Sequence, residues 1–367
     1  MSRPLKVVNS ADTASVFHAL QAALSGDGPA ILPHPGQPEG LPETVEQRVA
    51  VVVETSGSTG RPKRVALGAD ALLASAAASD VRLGGPGQWL IALPAHYIAG
   101  INVLVRSLAA QTEPITVAAN STRFVDAANE LDAGLRFVSL VPTQLRRLLD
   151  AGTDLTAYDA VLLGAAAAPA DLLRRAAEAG AHVVTTYGMS ETCGGCVYDG
   201  VPLEGVRVDL TDDSRVRIAG PMIMSGYLDE GPVGPWLATQ DLGHWQSGRL
   251  VIDGRIDDVI NSGGLKIAAG QVLDQIRATG MVRDGLVLGL ADATWGQVVT
   301  AVVVPGRGWR GPEALRDLVG RRLGRTHAPR VIVEVDELPM LASGKIDRVE
   351  VRRITTATLE SGAAWRV

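Results

Sequence analysis

A chain of 367 residues can bury a large core, and that length favours about two domains over one. Its 46% hydrophobic and 20% charged residues are the balance of a soluble globular protein, and no window holds the roughly 18 uninterrupted apolar residues of a membrane span. The formal net charge of −6 gives no reason to expect nucleic acid as a partner.

The charge is unevenly spread. Residues 258–367 carry 15 Lys/Arg against 12 Asp/Glu, leaving 19 against 28 for residues 1–257. A basic C-terminal part can help hold anionic substrates, although a solvated helix face such as Arg321, Arg322 and Arg325 is the commoner source of such a bias. The start, Met1-Ser2-Arg3-Pro4-Leu5-Lys6, lacks the apolar stretch of a signal peptide, so a cytoplasmic location is expected. Two cysteines, Cys193 and Cys196, are too few for a four-cysteine zinc site. Their spacing permits a redox pair, but two buried thiols beside a glycine turn are the preferred expectation.

In chain order, residues 12–24 read as a helix, with Asp12 or Thr13 as N-cap and Val16, Phe17, Leu20 and Leu24 on one face. Residues 26–43, rich in Gly and Pro, read as a surface loop. The β-branched run 49–54 and the shorter run 64–67 are two strands, which makes the residues between them a loop. An alanine-rich helix over 69–83 precedes a buried strand over 89–93, ended by Pro94. The next helix begins near Gly100 and carries Arg106 among apolar neighbours, either as a snorkelling surface residue or as a buried counter-ion for a carboxylate.

From 115 to 187, strands at 115–118, 135–141, 160–163 and 182–186 alternate with helices at 121–132, 143–150 and 169–179. That alternation predicts a parallel sheet with helices on its faces and a ligand at the carboxyl ends of its strands. Two of those ends carry Gly164-Ala165-Ala166-Ala167-Ala168 and Tyr187-Gly188-Met189-Ser190-Glu191-Thr192. Residues 202–252, with short β runs at 215–219 and 249–252, read as a β subdomain. Beyond Asp257 the pattern becomes α+β, with helices at 270–279 and 312–324 and strands at 285–290, 297–304 and 330–335. The expected fold class is therefore α/β: a large N-terminal domain (1–256) of parallel sheets flanked by helices plus a β subdomain, and a smaller α+β C-terminal domain (257–367).

The loop Thr55-Ser56-Gly57-Ser58-Thr59-Gly60-Arg61-Pro62-Lys63 concentrates hydroxyls, free amides and fixed positive charge in one turn. Converging amides and hydroxyls with a lysine suit a polyphosphate. The spacing is not that of the NTPase P-loop, in which Lys-Ser/Thr follows the second Gly directly. A bare Ser/Gly turn has the same composition; the Pro-Lys ending and the two flanking strands favour the phosphate cradle.

This stretch resembles the phosphate loop of the adenylate-forming superfamily, which includes acyl-CoA and aryl-CoA synthetases, luciferases and peptide-synthetase adenylation domains. The superfamily's other motifs recur in order: Tyr187-Gly188-Met189-Ser190-Glu191, Gly220-Pro221-Met222-Ile223-Met224-Ser225-Gly226-Tyr227, Asp241-Leu242-Gly243, Gly254-Arg255-Ile256-Asp257-Asp258, Gly263-Gly264-Leu265-Lys266-Ile267 and Gly344-Lys345-Ile346-Asp347-Arg348. Their order over most of the chain carries the resemblance.

The resemblance implies an ATP site with Thr55, Ser56, Gly57, Ser58, Thr59, Gly60 and Lys63 on the β,γ-phosphates. Tyr187 would stack on adenine opposite the strand end at Gly164, Gly188 and Ser190 would lie near the phosphate, and Asp241 and Arg255 would bind the ribose hydroxyls. Glu191 would hold Mg²⁺, a hard cation suited to a carboxylate. Lys345 matches the mobile lysine that bridges the substrate carboxylate and the α-phosphate, where a compact cation offsets accumulating negative charge. Asp257 matches the hinge of a mobile small domain, which withdraws Lys345 after adenylation and presents Gly263, Gly264 and Lys266 to the pantetheine arm of coenzyme A. Without the resemblance, Glu191 and Asp241 would read as structural carboxylates and Lys345 as a solvated lysine.

Within the superfamily, the stretch from Leu93 to Leu108 is similar to a segment of the o-succinylbenzoate-CoA ligases of menaquinone biosynthesis, with His, Gly and a later Arg at this spacing. That implies a small-molecule carboxylic acid bound at His96, Gly100, Arg106, Gly194 and Gly195. His96 would gate the pocket or orient the carboxylate, and the two later glycines would leave room for a flat ring. Ala165 stands where relatives often have Gly, and Ser190 where Thr is commoner. A ligase for another aryl or short-chain acid, a carrier-protein-loading enzyme and a non-catalytic nucleotide binder are the alternatives. Intact Lys345 and Glu191 count against the last.

Overall fold

The computed structural model describes residues 1–55, 62–118, 121, 123–132, 134–341 and 346–367. Two compact units result: Met1–Asp209 with Arg217–Leu237, and Leu210–Val216 with Ala238–Val367.

In the first unit, β1 (Ser2–Asn9), α1 (Thr13–Ser25) and β2 (Ala30–His34) form a parallel pair joined by the helical crossover that parallel strands need. Asp12 caps α1 by accepting from the Ser15 amide, and Gly26 ends it in a left-handed conformation at φ 85°. β2 corrects the loop expected over 26–43. Ala30, Ile31 and Leu32 are apolar enough to form a buried interior strand, and the pairing with the next strand falls at Ile31 and Val51, ahead of Pro33 with its missing amide proton. After β3 (Thr44–Glu46), β4 (Val49–Thr55) and β5 (Lys63–Gly68) pair antiparallel down to Thr55 opposite Lys63. Ser56 to Arg61, and with them most of the expected phosphate loop, lie outside the described residues. The sheet runs Gly231–Pro232, Gly226–Tyr227, β5, β4, β2, β1, β3.

The second sheet follows from the alternation read in the sequence: α2 (Ala69–Leu83), β6 (Gln88–Ile91), α3 (Ile98–Ala109), β7 (Ile115–Thr116), α4 (Phe124–Asn129), β8 (Arg136–Leu140), α5 (Pro142–Asp150), β9 (Ala160–Leu163), α6 (Ala170–Glu178) and β10 (Val183–Met189). Its strands β7, β6, β8, β9 and β10 are parallel in that spatial order, and β11 (Gly194–Tyr198) and β12 (Val201–Pro202) extend it antiparallel. One face buries Leu90, Val138, Val161 and Leu163 among Phe124, Leu145 and Leu172. On the other, Trp89 packs on Phe137 at 4.9 Å, with Arg106 of α3 over its ring. Helices on both faces explain why these strands are apolar without alternation. At about 1.5–3 kcal/mol for each large apolar side chain, this double burial is the main support of the unit.

In the second unit, strand Arg249–Arg255 pairs antiparallel with residues 241–246. A six-stranded sheet follows, with Leu265–Ala268, Val259–Ser262, Gly296–Pro305, Val331–Glu334 and Trp365–Arg366 in that order and Val282–Asp292 also on Gly296–Pro305. Alternation along the two long strands sends Val287, Val299, Ala301 and Val303 to α7 (Ala269–Ala278) and α8 (Pro312–Leu323). Leu286, Leu288, Val302 and Val304 face the side of Val351 on α9 (Arg348–Glu360). Among the described residues, no helix is long and apolar enough to cross a membrane.

Candidate active site

Strand ends at the carboxyl edge of the first sheet gather one group of polar residues. Ser10 follows β1, His34 ends β2, and Glu54 and Thr55 end β4. The Gly36 amide donates to Nδ1 of His34 (2.9 Å), which leaves the imidazole proton on Nε2, 3.4 Å from Glu54. Glu54 in turn accepts from Nε of Arg64 at 2.9 Å. His96, in the turn before α3, lies 3.0 Å through Nδ1 from the Ser10 hydroxyl, with its ring 4.1 Å from that of Tyr97. Burial pushes its pKa below the ordinary histidine value, so His96 is neutral near pH 7. At the base of the expected phosphate loop, the Thr55 hydroxyl donates to the Lys63 carbonyl at 3.4 Å. The Lys63 ammonium lies 3.5 Å from Glu230 and 4.6 Å from the centre of the Tyr227 ring.

The second group is built on β10 and β11. β10 runs further than expected, through Tyr187, Gly188 and Met189, with a bulge between Tyr187 and Gly188. A Cβ on Gly188 would stand 2.0 Å from the Gly194 carbonyl oxygen, so the hairpin admits only glycine there. Ser190–Thr192 form one 3₁₀ turn, and Cys193 closes it in a left-handed conformation at φ 49°. Glu191 is held at both ends. Its backbone carbonyl accepts from the Met224 amide at 2.9 Å, and its carboxylate accepts from the Tyr227 hydroxyl at 2.8 Å. Burial, together with the Glu191 charge, raises the Tyr227 phenol above its ordinary pKa, so it stays a donor. Among the described residues no cluster of three metal-binding side chains exists. A lone carboxylate fits Mg²⁺, which keeps waters and takes phosphate oxygens from its substrate.

The helices α2 and α3 grip the same turn from behind. Asn102 Nδ2 donates to the Cys193 carbonyl at 2.7 Å and the Ser75 hydroxyl to the same oxygen at 3.2 Å. Gly194 and Gly195 do not open room for a ring. An added Cβ at Gly194 would fall 2.0 Å from Asn102 Nδ2, and one at Gly195 3.0 Å from Thr186 Cβ, so the protein's own atoms already fill the space. Gly100 likewise lets α3 approach the Pro94 carbonyl, and Gly164 lets β9 approach Thr186. Ala165, after Gly164, sits at φ 70°, the conformation for which glycine is the default.

Arg106 is buried, at 4% exposure, which excludes the snorkelling alternative. It donates to the Tyr198 hydroxyl at 3.0 Å and lies 4.8 Å from the centre of the Trp89 ring. The carboxylate whose charge it senses is the protein's own Asp80, which burial pushes up to about 6 against the pull of Arg106. Cys193 and Cys196 are free, buried thiols. Burial pushes both up, Cys196 to about 12, and away from redox chemistry.

In the second unit, Arg255 grips Asp257 with Nε and Nη2 at 2.8 and 3.0 Å, while Nη1 stands 3.8 Å from Asp241. The expected ribose ligands and the expected hinge thus share one cluster. Arg255's hydrogen bonds hold the Asp257 carboxyl below the usual range. The next residue, Asp258, pairs with Arg348 at 2.6 Å. Gly263 and Gly264, at φ 57° and 83°, form the two-residue turn between Val259–Ser262 and Leu265–Ala268, a conformation that needs positive φ twice. Lys266, just past it, is exposed. Lys345 lies outside the described residues, but Met340 bridges Ile346 across its segment and Asp347 caps α9 through the Val349 and Glu350 amides.

Tyr227, Asn102, Ser75 and His34 carry no sequence signal of their part in the site. Tyr227 ends the Gly220–Tyr227 motif, yet its partner Glu191 is 36 residues away and no spacing rule links them.

A model of the AMP-binding enzyme family matches residues 5–228, and one of the AMP-binding enzyme C-terminal domain matches residues 276–345. The chain is 43% identical to a probable 2-succinylbenzoate–CoA ligase of Mycobacterium tuberculosis, over 96% of this chain and 98% of that one. It is similar to the solved o-succinylbenzoate CoA synthetase of Bacillus subtilis in complex with its acyl-adenylate intermediate, with TM-score 0.75 and 25% identity over 95% of this chain and 83% of the other. An amide bond synthetase of Marinactinospora thermotolerans aligns with TM-score 0.76 and 26% identity, covering 96% and 80%.

Proposed function

The chain belongs to the AMP-binding enzyme family, and we propose on that premise that it is an ATP-dependent, AMP-forming ligase that joins 2-succinylbenzoate to coenzyme A in menaquinone biosynthesis. The observation that carries the reading is the 43% identity to the mycobacterial ligase over nearly the full length of both chains. The β4–β5 hairpin base, the pinned Glu191 turn and the Asp241–Arg255 pair are chemically suited to it.

The reaction divides into two displacements. A carboxylate oxygen of the acid attacks the α-phosphorus of ATP, and the bond to the bridging oxygen breaks with release of pyrophosphate. The thiol of coenzyme A then attacks the acyl carbon, loses its proton, and expels AMP. In this reading the loop from Thr55 to Lys63 grips the β,γ-phosphates, Tyr187 faces adenine beside Gly164 and Gly188, and Asp241 and Arg255 take the ribose. Ser190 lies near the phosphate. His96, neutral and set by Ser10, orients the substrate carboxylate without a charge of its own to compete with Lys345. Glu191 holds Mg²⁺, which neutralises phosphate charge when bound. Asp257 is the hinge, and Gly263, Gly264 and Lys266 serve coenzyme A. A cytoplasmic location belongs to this reading, since both ATP and coenzyme A are substrates held there.

Arg106 is not assigned to the substrate, because Tyr198 and Trp89 already engage it. Gly100, Gly194 and Gly195 contribute close packing of the walls.

The test is a screen of carboxylic acids for AMP formation that requires both ATP and coenzyme A. The expected result is turnover with 2-succinylbenzoate; turnover only with a fatty or amino acid would overturn the substrate. In the same assay Lys345→Ala is expected to keep ATP binding and lose pyrophosphate release by a factor of roughly 10² or more. Adenylation at the wild-type rate would remove Lys345 from the chemistry.

A further inference from the structure

The segment 224–228 touches both halves of the proposed phosphate site. Gly226–Tyr227 pairs antiparallel with β5, Tyr227 opposite Val65 and Gly226 opposite Ala66. The Ser225 amide donates to the Ala66 carbonyl (2.8 Å) and the Leu228 amide to the Arg64 carbonyl (3.0 Å), which fixes the segment to the strand that begins at Lys63. One residue earlier, the Met224 amide donates to the Glu191 carbonyl, which fixes it to the 3₁₀ turn after β10. Tyr227 repeats this bridge with its side chain. Its hydroxyl donates to Oε1 of Glu191 at 2.8 Å, and its ring face carries the Lys63 ammonium at 4.6 Å.

These contacts have a common chemical sense. A carboxylate that must bind a cation needs a fixed plane, and a hydrogen bond to one oxygen sets that plane without adding charge. A lysine that must meet a polyphosphate needs to be extended and only weakly held beforehand. A ring face together with the exposed Glu230 supplies such a resting place.

We propose that Tyr227 is a positioning residue that sets the metal-binding carboxylate of Glu191 and the phosphate-loop lysine Lys63 against each other, so that cation and polyphosphate bind as one unit. This rests on the reading of Glu191 as the Mg²⁺ ligand.

The test measures equilibrium ATP binding by calorimetry at a series of Mg²⁺ concentrations, alongside pyrophosphate release, in the full-length protein. Tyr227→Phe keeps the ring under Lys63 and removes only the hydroxyl. It is expected to raise the Mg²⁺ needed for half-maximal ATP binding roughly tenfold, the size of one hydrogen bond to a charged group. ATP affinity at saturating Mg²⁺, the KM for the acid and the unfolding temperature should stay close to wild type. Tyr227→Leu removes the ring as well and is expected to weaken ATP binding even at saturating Mg²⁺. A Tyr227→Phe titration that coincides with wild type overturns the proposal. Glu191→Gln in the same titration separates the two levels. If it shifts the Mg²⁺ dependence and Tyr227→Phe does not, Tyr227 alone loses its role. If neither shifts it, Glu191 is not the ligand and the parent reading falls with it.

Discussion

Asp80 shows what a single buried carboxyl does to this protein. It lies near the end of α2 with one carboxyl oxygen buried and unpartnered, and burial raises its pKa to about 6 against the opposing charge of Arg106. An acid whose folded pKa lies above its unfolded value binds more protons when folded, so its contribution to stability is greatest at low pH and falls as pH rises from about 4 to about 6. Asp80→Asn removes this loss. We expect the variant to be ~1–2 kcal/mol more stable than wild type at pH 7.5, after allowance for partial solvent screening, with the difference shrinking toward zero near pH 4. Urea unfolding of both proteins between pH 4 and 8 measures it, and a difference independent of pH would show that Asp80 does not titrate in this range. Nothing in the sequence pointed to this group. Asp80, Trp89, Arg106 and Tyr198 are spread over more than a hundred positions, and whether an arginine among apolar neighbours is covered or snorkels depends on elements that pack over it.

At the scale of elements, the hairpin of β10 and β11 is the part of the site with the most packing support. Asn102 donates to the Cys193 carbonyl from α3, the helix that starts two residues after His96, so the proposed carboxylate-orienting His96 and the Glu191 turn share one support. Asn102→Ala leaves the Ser75 hydroxyl on that carbonyl and should cost about 1–3 kcal/mol of stability. Because the turn places Glu191 two residues away, we expect pyrophosphate release to fall roughly ten- to a hundredfold, the scale of a displacement near 1 Å. Urea unfolding and pyrophosphate release on the same preparation read the two effects. A lowered unfolding midpoint with full activity would show that the clamp stabilises without positioning. Much of this architecture was legible. Strand and helix alternation over 115–187 gave the parallel sheet, because periodicity reports burial directly. The strand over 30–34 was hidden by flanking Gly and Pro, and glycines at 194 and 195 read as open space because sequence cannot say which neighbour fills the place of a missing side chain.

For the molecule as a whole, the ordered motifs made the reaction class readable, while the division of labour between the units has to be tested by separating the two half-reactions. Gly263 and Gly264 lie in the second unit, in a turn that demands positive φ at both positions. Their surroundings differ. A Cβ at Gly264 meets nothing within 4 Å, so Gly264→Ala carries only the conformational cost of about 1 kcal/mol. A Cβ at Gly263 would lie 2.7 Å from Trp295, so Gly263→Ala must also displace the indole. If this turn serves coenzyme A, both variants should release pyrophosphate within about twofold of wild type, since a change confined to the turn and the Trp295 indole beside it does not touch the groups proposed for the first half-reaction. Thioester formation from preformed acyl-adenylate should fall in both, and further in Gly263→Ala. Lys345→Ala should behave in the opposite way, failing at adenylation and accepting preformed acyl-adenylate. Single-turnover measurements of each half-reaction on the three variants decide the matter. A parallel decline of both half-reactions in the glycine variants would mean that the turn maintains the fold of its unit, and coenzyme A would then have to be met elsewhere on the protein.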